Sequence, residues 1–190
     1  SAAGSAALGN GYAGLELSSA TNNLVGGSSL WARNLISGNG QNGLLLTNCS
    51  GNTICGNYIG VNAAGSGALS NGFNGITVNA TLSTTMGGAS PNTGNLVSGN
   101  GFYGIQVLAG GAGNVVAGNF IGTDSTGHSA VANHLSGVRL ESGANVIGGT
   151  QNGAGNLLSG NGQDGVFVIG PGAATNLIQG NWIGTAYGGA

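Results

Sequence analysis

Acid–base chemistry needs ionisable side chains, and this chain has few. Its carboxylates are Glu16, Asp124, Glu141 and Asp164, its cations Arg33 and Arg139, and its imidazoles His128 and His134. Cleaving a glycosidic bond takes two carboxyl groups on one bond, one donating a proton and the other acting as base or nucleophile. The sequence shows no such pair. The densest group is Asp124, His128, His134, Arg139 and Glu141, five of the eight ionisable side chains. Arg139 and Glu141 share one strand face and can pair, and Asp124 can pair with His128 across its own loop. Local charge pairing on a solvated corner is the plainer reading; a catalytic or metal-binding role for the two histidines is the sharper one. Calcium repeats would need far more acid. Cys49 and Cys55 flank a turn and either close a small disulfide loop or remain free thiols. Without a neighbouring histidine they make a poor zinc site. No catalytic residue, metal or cofactor is therefore assigned.

Composition narrows the partners. The chain has 190 residues with 43 glycines, 40% hydrophobic content, 3% charged residues and a formal charge of -2. Charged residues usually make up about a quarter of a globular domain. With no basic patch, nucleic acid is excluded as an expected partner. No apolar run is long enough to span a membrane. Ordered apolar spacing argues against disorder. The chain opens at Ser1 without an initiator methionine, so it reads as a processed product or an excised segment.

The elements that position these residues are repeats. Asn114–Thr123 (NVVAGNFIGT) has near-copies at Asn52–Val61 (NTICGNYIGV) and Asn176–Thr185 (NLIQGNWIGT). Three strand signals recur in fixed order. Side a begins at Asn23, Asn52, Thr84, Asn114, Asn145 and Asn176. Side b begins at Asn34, Asn57, Asn95, Asn119, Asn156 and Asn181. Side c begins at Gly14, Gly43, Gly75, Gly104, Gly137 and Gly165. One circuit takes about 30 residues. The long corner loop alternates, so the full period is two circuits, 61–62 residues. Fixed order, no helical periodicity and aliphatic residues at every second strand position predict an all-β parallel β-helix. It should have six three-sided coils, right-handed and about 29 Å long. One domain, 1–190, is expected, with repeats at about 1–61, 62–123 and 124–185 and a tail at 186–190. The Asn heading each side a or b unit should face inward and form ladders between coils.

The alternation of N-x-I-x-G-N-x-I-G-T, G-x-x-G-V-x-I and N-x-I-G-G resembles the right-handed parallel β-helix repeats of large secreted bacterial surface proteins. It covers essentially the whole chain. The resemblance implies a pectate-lyase-like fold, which lyases, glycosidases, tailspikes and adhesins share, and so it specifies fold more than function.

Two further features bear on function. By parity, Leu35, Tyr58, Leu96, Phe120, Leu157 and Trp182 point away from the core on side b. They form an exposed stripe for lateral protein contact or sugar stacking, or are tucked into a second pocket beneath the long loops. The ends are the other feature. Ser1 falls inside a long b-to-c loop, Ala190 falls five residues into another, and no cap is visible. The edges Gly14, Leu15, Glu16 and Leu17, and Asn176, Leu177, Ile178, Asn181, Trp182 and Ile183, are then templates for stacking. The expectation is a non-enzymatic, extracellular protein whose partner is itself, joined head to tail into a filament. A spacer or adhesin segment of a longer surface protein, able to bind cell-surface glycans, is the alternative; a polysaccharide lyase or hydrolase ranks third. Asn48-Cys49-Ser50 and Asn79-Ala80-Thr81 fit the N-glycosylation pattern.

Overall fold

The computed structural model describes residues 4–188. Ser1 and Ala190, read above as lying in long loops, fall outside the described residues. Eighteen short strands follow in chain order, three to a coil. The first coil holds β1 (Leu15–Ser18), β2 (Leu24–Gly26) and β3 (Leu35–Ile36); the second β4 (Leu44–Thr47), β5 (Thr53–Cys55) and β6 (Tyr58–Ile59). The third holds β7 (Ile76–Asn79), β8 (Thr85–Gly87) and β9 (Leu96–Val97); the fourth β10 (Ile105–Val107), β11 (Val115–Ala117) and β12 (Phe120–Ile121). The fifth holds β13 (Val138–Leu140), β14 (Val146–Gly148) and β15 (Leu157–Leu158); the sixth β16 (Val166–Val168), β17 (Leu177–Gln179) and β18 (Trp182–Ile183). Every strand pairs in parallel with its equivalent one coil away, giving three six-stranded sheets for sides c, a and b. This is the β-solenoid that the repeat spacing predicts.

Register follows from the apolar columns. Ile105 pairs with Ile76 on one side and Val138 on the other, so like residues stack along the axis. Ile54, Met86, Val116 and Ile147 from side a meet Ile59, Val97 and Ile121 from side b and the β4–β13 aliphatics from side c in one buried cluster. A slip of one residue in any strand would turn that column to solvent, which fixes the pairing.

Asparagines complete the interior. In side b, Asn34, Asn57, Asn95, Asn119, Asn156 and Asn181 are linked coil to coil, each Nδ2 reaching the next Oδ1 at 2.9–3.1 Å. Side a carries a second ladder through Asn114, Asn145 and Asn176. A third, not anticipated from the sequence, runs along the b-to-c corner through Asn10, Asn39, Asn71, Asn100, Asn133 and Asn161. The amides of the inner coils also meet the backbone: Asn133 Nδ2 donates to the Val97 carbonyl at 2.9 Å. Buried side-chain amides are stable only when so satisfied.

Glycine is required where the coils touch at corners. Gly87 has φ +93°, and a Cβ there would collide with the Ala117 carbonyl and the Asn119 amide of the next coil.

Thr84 interrupts the side-a ladder. Its backbone N–H still reaches Asn114 Oδ1 at 3.0 Å, but its own buried Oγ1 has no hydrogen-bond partner. Restoring the amide in Thr84→Asn is expected to stabilise the protein by about 1–2 kcal/mol. Urea unfolding reads this as a raised midpoint with unchanged slope.

Candidate functional site

Three surfaces can carry function: the outer face of the side-c sheet, a groove along side b, and the two ends of the solenoid. On the side-c sheet, strand alternation turns Thr77, Gln106 and Arg139 outward, opposite to the core residues. They join a hydrogen-bonded chain. Thr77 Oγ1 donates to Asn42 Oδ1 at 2.8 Å, and Asn74 Nδ2 reaches Gln106 Oε1 at 2.8 Å. Gln106 Nε2 then donates to Glu141 Oε1 at 2.8 Å, and Arg139 Nη1 to the Tyr103 hydroxyl at 2.7 Å. Arg139 Nε lies 3.0 Å from Glu141 Oε1, but the N–H is not directed along that line, so the contact is an ion pair without an aligned hydrogen bond. The expected Arg139–Glu141 pairing is present. It locks the network and leaves Glu141 engaged by two partners.

The other ionisable groups do not converge on it. Glu16 stands on β1, four strands from β13 and so about 19 Å away along the sheet. Asp164 receives the Ser136 hydroxyl at 3.3 Å. Asp124 does not hold the His128 imidazole. Its Oδ1 accepts the His128 backbone N–H at 3.1 Å, while His128 Nδ1 lies 2.8 Å from the Thr126 carbonyl. Asn62, one double coil earlier, takes the Ser66 backbone N–H at 3.0 Å in the same way. Asp124 therefore closes a loop that an uncharged amide closes equally well. Among the described residues, no three His, Cys, Asp or Glu side chains gather as a metal site.

For Asp124, partial desolvation raises the pKa but is outweighed by bonds from the Thr126 hydroxyl and the His128, Ser129 and Thr126 backbone N–H groups. The carboxyl is held below the usual aspartate value. Such a group adds stability above its unfolded pKa and loses it as pH falls through the lower folded value. Below neutral pH, the melting temperature of wild type should fall further than that of Asp124→Asn. Parallel thermal melts at pH 7 and pH 3 check this.

The cysteines are free thiols, and the disulfide that their spacing allowed is not formed. Cys49 packs within the main core, its Sγ 3.2 Å from the Leu17 carbonyl. Cys55 alternates with the inward Ile54 on β5 and lies on the opposite face of that strand. A bridge needs converging Cβ atoms, and the side-a wall stands between these two. Burial pushes the Cys55 thiol up.

The side-b column is not the open stripe that parity allowed. Leu96 and Leu157 are 3% and 1% exposed. Leu96 forms a second small core with Val61 and Val131, against which Tyr58 and Phe120 pack. The long b-to-c loops fold back over side b, closed by antiparallel bridges at Val61–Ala68 and Thr123–Ala130. Only the terminal members, Leu35 and Trp182, are well exposed. What remains open is a groove between those loops and the a-to-b corners. One section, about 570 Å³, is lined by Phe120, Trp182, Tyr187, Thr150, Gln151 and Asn152 among others. The adjoining section, about 340 Å³, shares Gly118, Phe120 and Tyr187 and reaches Tyr58 and Arg33. Arg33 caps it by lying 3.8 Å over the Tyr58 ring.

At the ends, the apolar columns are cut open. Ile147 and Ile121 are fully buried, but their equivalents one and two coils on, Ile178 and Ile183, are 41% and 50% exposed. Leu177, Trp182 and Val168 are exposed beside them, and Asn176 and Asn181 end their ladders half-buried. At the opposite end Gly14 donates its N–H to the Asn42 carbonyl at 3.0 Å. Leu15 and Leu17 are only partly covered, and Glu16 faces solvent.

Compared with protein-family models, curated proteins and solved structures, the chain matches none. Among the described residues no helix is long and apolar enough to cross a membrane.

Proposed function

We propose that the chain is a non-enzymatic structural solenoid whose open end coils are completed by another coil of the same kind, supplied head to tail by a second copy. The half-exposed aliphatic residues Val168, Ile178 and Ile183 carry this reading. Each sits in a column that is fully buried wherever coils lie on both sides of it. Covering each contributes on the order of 1 kcal/mol, and the unfinished ladders offer amides in matching register. A heterologous contact of this kind repeats indefinitely and builds a filament. The scarcity of charge fits it, because identical coils stacked about 4.8 Å apart would otherwise set like charges side by side. An extracellular location at the cell surface accords with the resemblance to secreted bacterial repeats.

A second reading answers to the same edges: the next coil comes from the same, longer polypeptide, and this segment is a spacer or adhesin. Sedimentation velocity across a hundredfold concentration range tests the first. Growing assemblies with no fixed size support head-to-tail stacking. A single monomeric boundary at every concentration rejects it.

A further inference from the structure

We infer that the groove along side b binds a neutral, extended polysaccharide, with Phe120, Trp182 and Tyr187 as stacking faces and Thr150, Gln151 and Asn152 as hydroxyl partners. The floor is periodic. Tyr58, Phe120 and Trp182 recur on every second coil, about 9.6 Å apart, with the buried Leu96 and Leu157 between them. That interval suits a linear sugar chain whose alternate residues present the same face. Tyr187 packs against this floor, tilted at 5.2 Å from the Phe120 ring and edge-on at 4.9 Å from the Trp182 ring, and so makes a corner of aromatic surface.

The walls decide the ligand's polarity. The larger section contains no Asp, Glu, Lys, Arg or His, and the one cation of the adjoining section, Arg33, is stacked on Tyr58, so an acidic chain would bring charge into the larger section without a counter-charge beside it. The rim carries two primary amides and a hydroxyl, each able both to donate and to accept. Vicinal sugar hydroxyls need that combination. Gly149, Gly153, Gly155 and Gly180 keep the wall low, so a ligand reaches backbone as well as side chains. A peptide partner that adds a strand would need a free sheet edge. Along the groove every side-b strand between β3 and β18 is already paired on both sides.

Trp182 belongs both to this groove and to the end coil, so Gln151→Ala is the variant that separates sugar binding from the joining of coils. In a Trp31→Phe background, where Trp182 is the remaining tryptophan, fluorescence and calorimetric titrations use hexasaccharides of β-1,4-glucose, β-1,3-glucose and β-1,4-N-acetylglucosamine. Hexagalacturonate serves as the acidic control. At least one neutral hexamer is expected to shift Trp182 emission saturably, with no response to hexagalacturonate. Trp182→Ala should weaken binding at least tenfold and Gln151→Ala by severalfold. Gln151 is exposed on the fifth coil and outside the end-coil strands, so its variant is expected to fold and assemble as the parent does. Absence of binding to all three neutral hexamers at millimolar concentration overturns the inference. Equal binding of the acidic hexamer, or undiminished binding by both variants, also overturns it.

Discussion

Replacing Asn119 by leucine is expected to destabilise the protein by about 3–5 kcal/mol. The two side chains are similar in size, so cavity formation contributes little. The effect comes from the polar partners left behind. Asn119 Oδ1 accepts the backbone N–H and the Nδ2 of Asn95 at 2.9 and 3.0 Å. Its own Nδ2 lies 2.9 Å from the Met86 carbonyl, 3.1 Å from the Ala117 carbonyl and 2.9 Å from Asn156 Oδ1. Leucine removes all of these at a fully buried point and strands donors and acceptors on both neighbouring coils. The same change at Asn34, exposed in the first coil, removes fewer bonds and leaves the freed groups closer to water. It should destabilise by about 1 kcal/mol. Urea unfolding of both variants measures the difference. Near-equal small losses would mean that apolar columns alone hold the coils in register.

The second large effect concerns assembly. Ile178→Lys combined with Ile183→Lys puts two ammonium groups where another coil's aliphatic column would sit. Both positions are about half exposed, so the isolated chain tolerates the change. A stacked copy would have to bury both charges without partners. Association should weaken at least a thousandfold, about 4 kcal/mol, with an unchanged circular dichroism spectrum. Ser70→Lys combined with Ser90→Lys, which adds the same charge on exposed corners of the middle coils, should leave assembly as it is. Assemblies that survive the double substitution would place the contact elsewhere.

Much of this was legible in the sequence because a β-solenoid writes its structure twice. The strand period of two places Ile54, Ile59 and Leu46 inside, and the coil period of about 30 residues stacks each on its equivalent. Arg139 and Glu141 were readable as a pair for the same reason, two residues apart on one face. The corner ladder was missed although its signal is present: Asn10, Asn39, Asn71, Asn100, Asn133 and Asn161 each stand four residues ahead of a side-c glycine. An asparagine followed by glycine, as five of the six are, looks like a turn residue, and its bond to the next coil is not a local property. The side-b column shows the opposite limit. Parity turns Leu96 and Leu157 away from the main core, but it cannot tell that the loops after Val61 and Thr123 return over them. Cys49 and Cys55 are close in sequence and separated by the wall that Ile54 belongs to. Tyr187 and the Thr150–Asn152 corner carried no signal, since a groove is made by loops from different coils.

The central claim, that one copy's last coil is continued by the next copy's first, is tested most directly by electron microscopy of the purified protein with measurement of any axial repeat. Six coils at the sheet spacing predict filaments repeating at about 29 Å. Discrete particles at every concentration would contradict it.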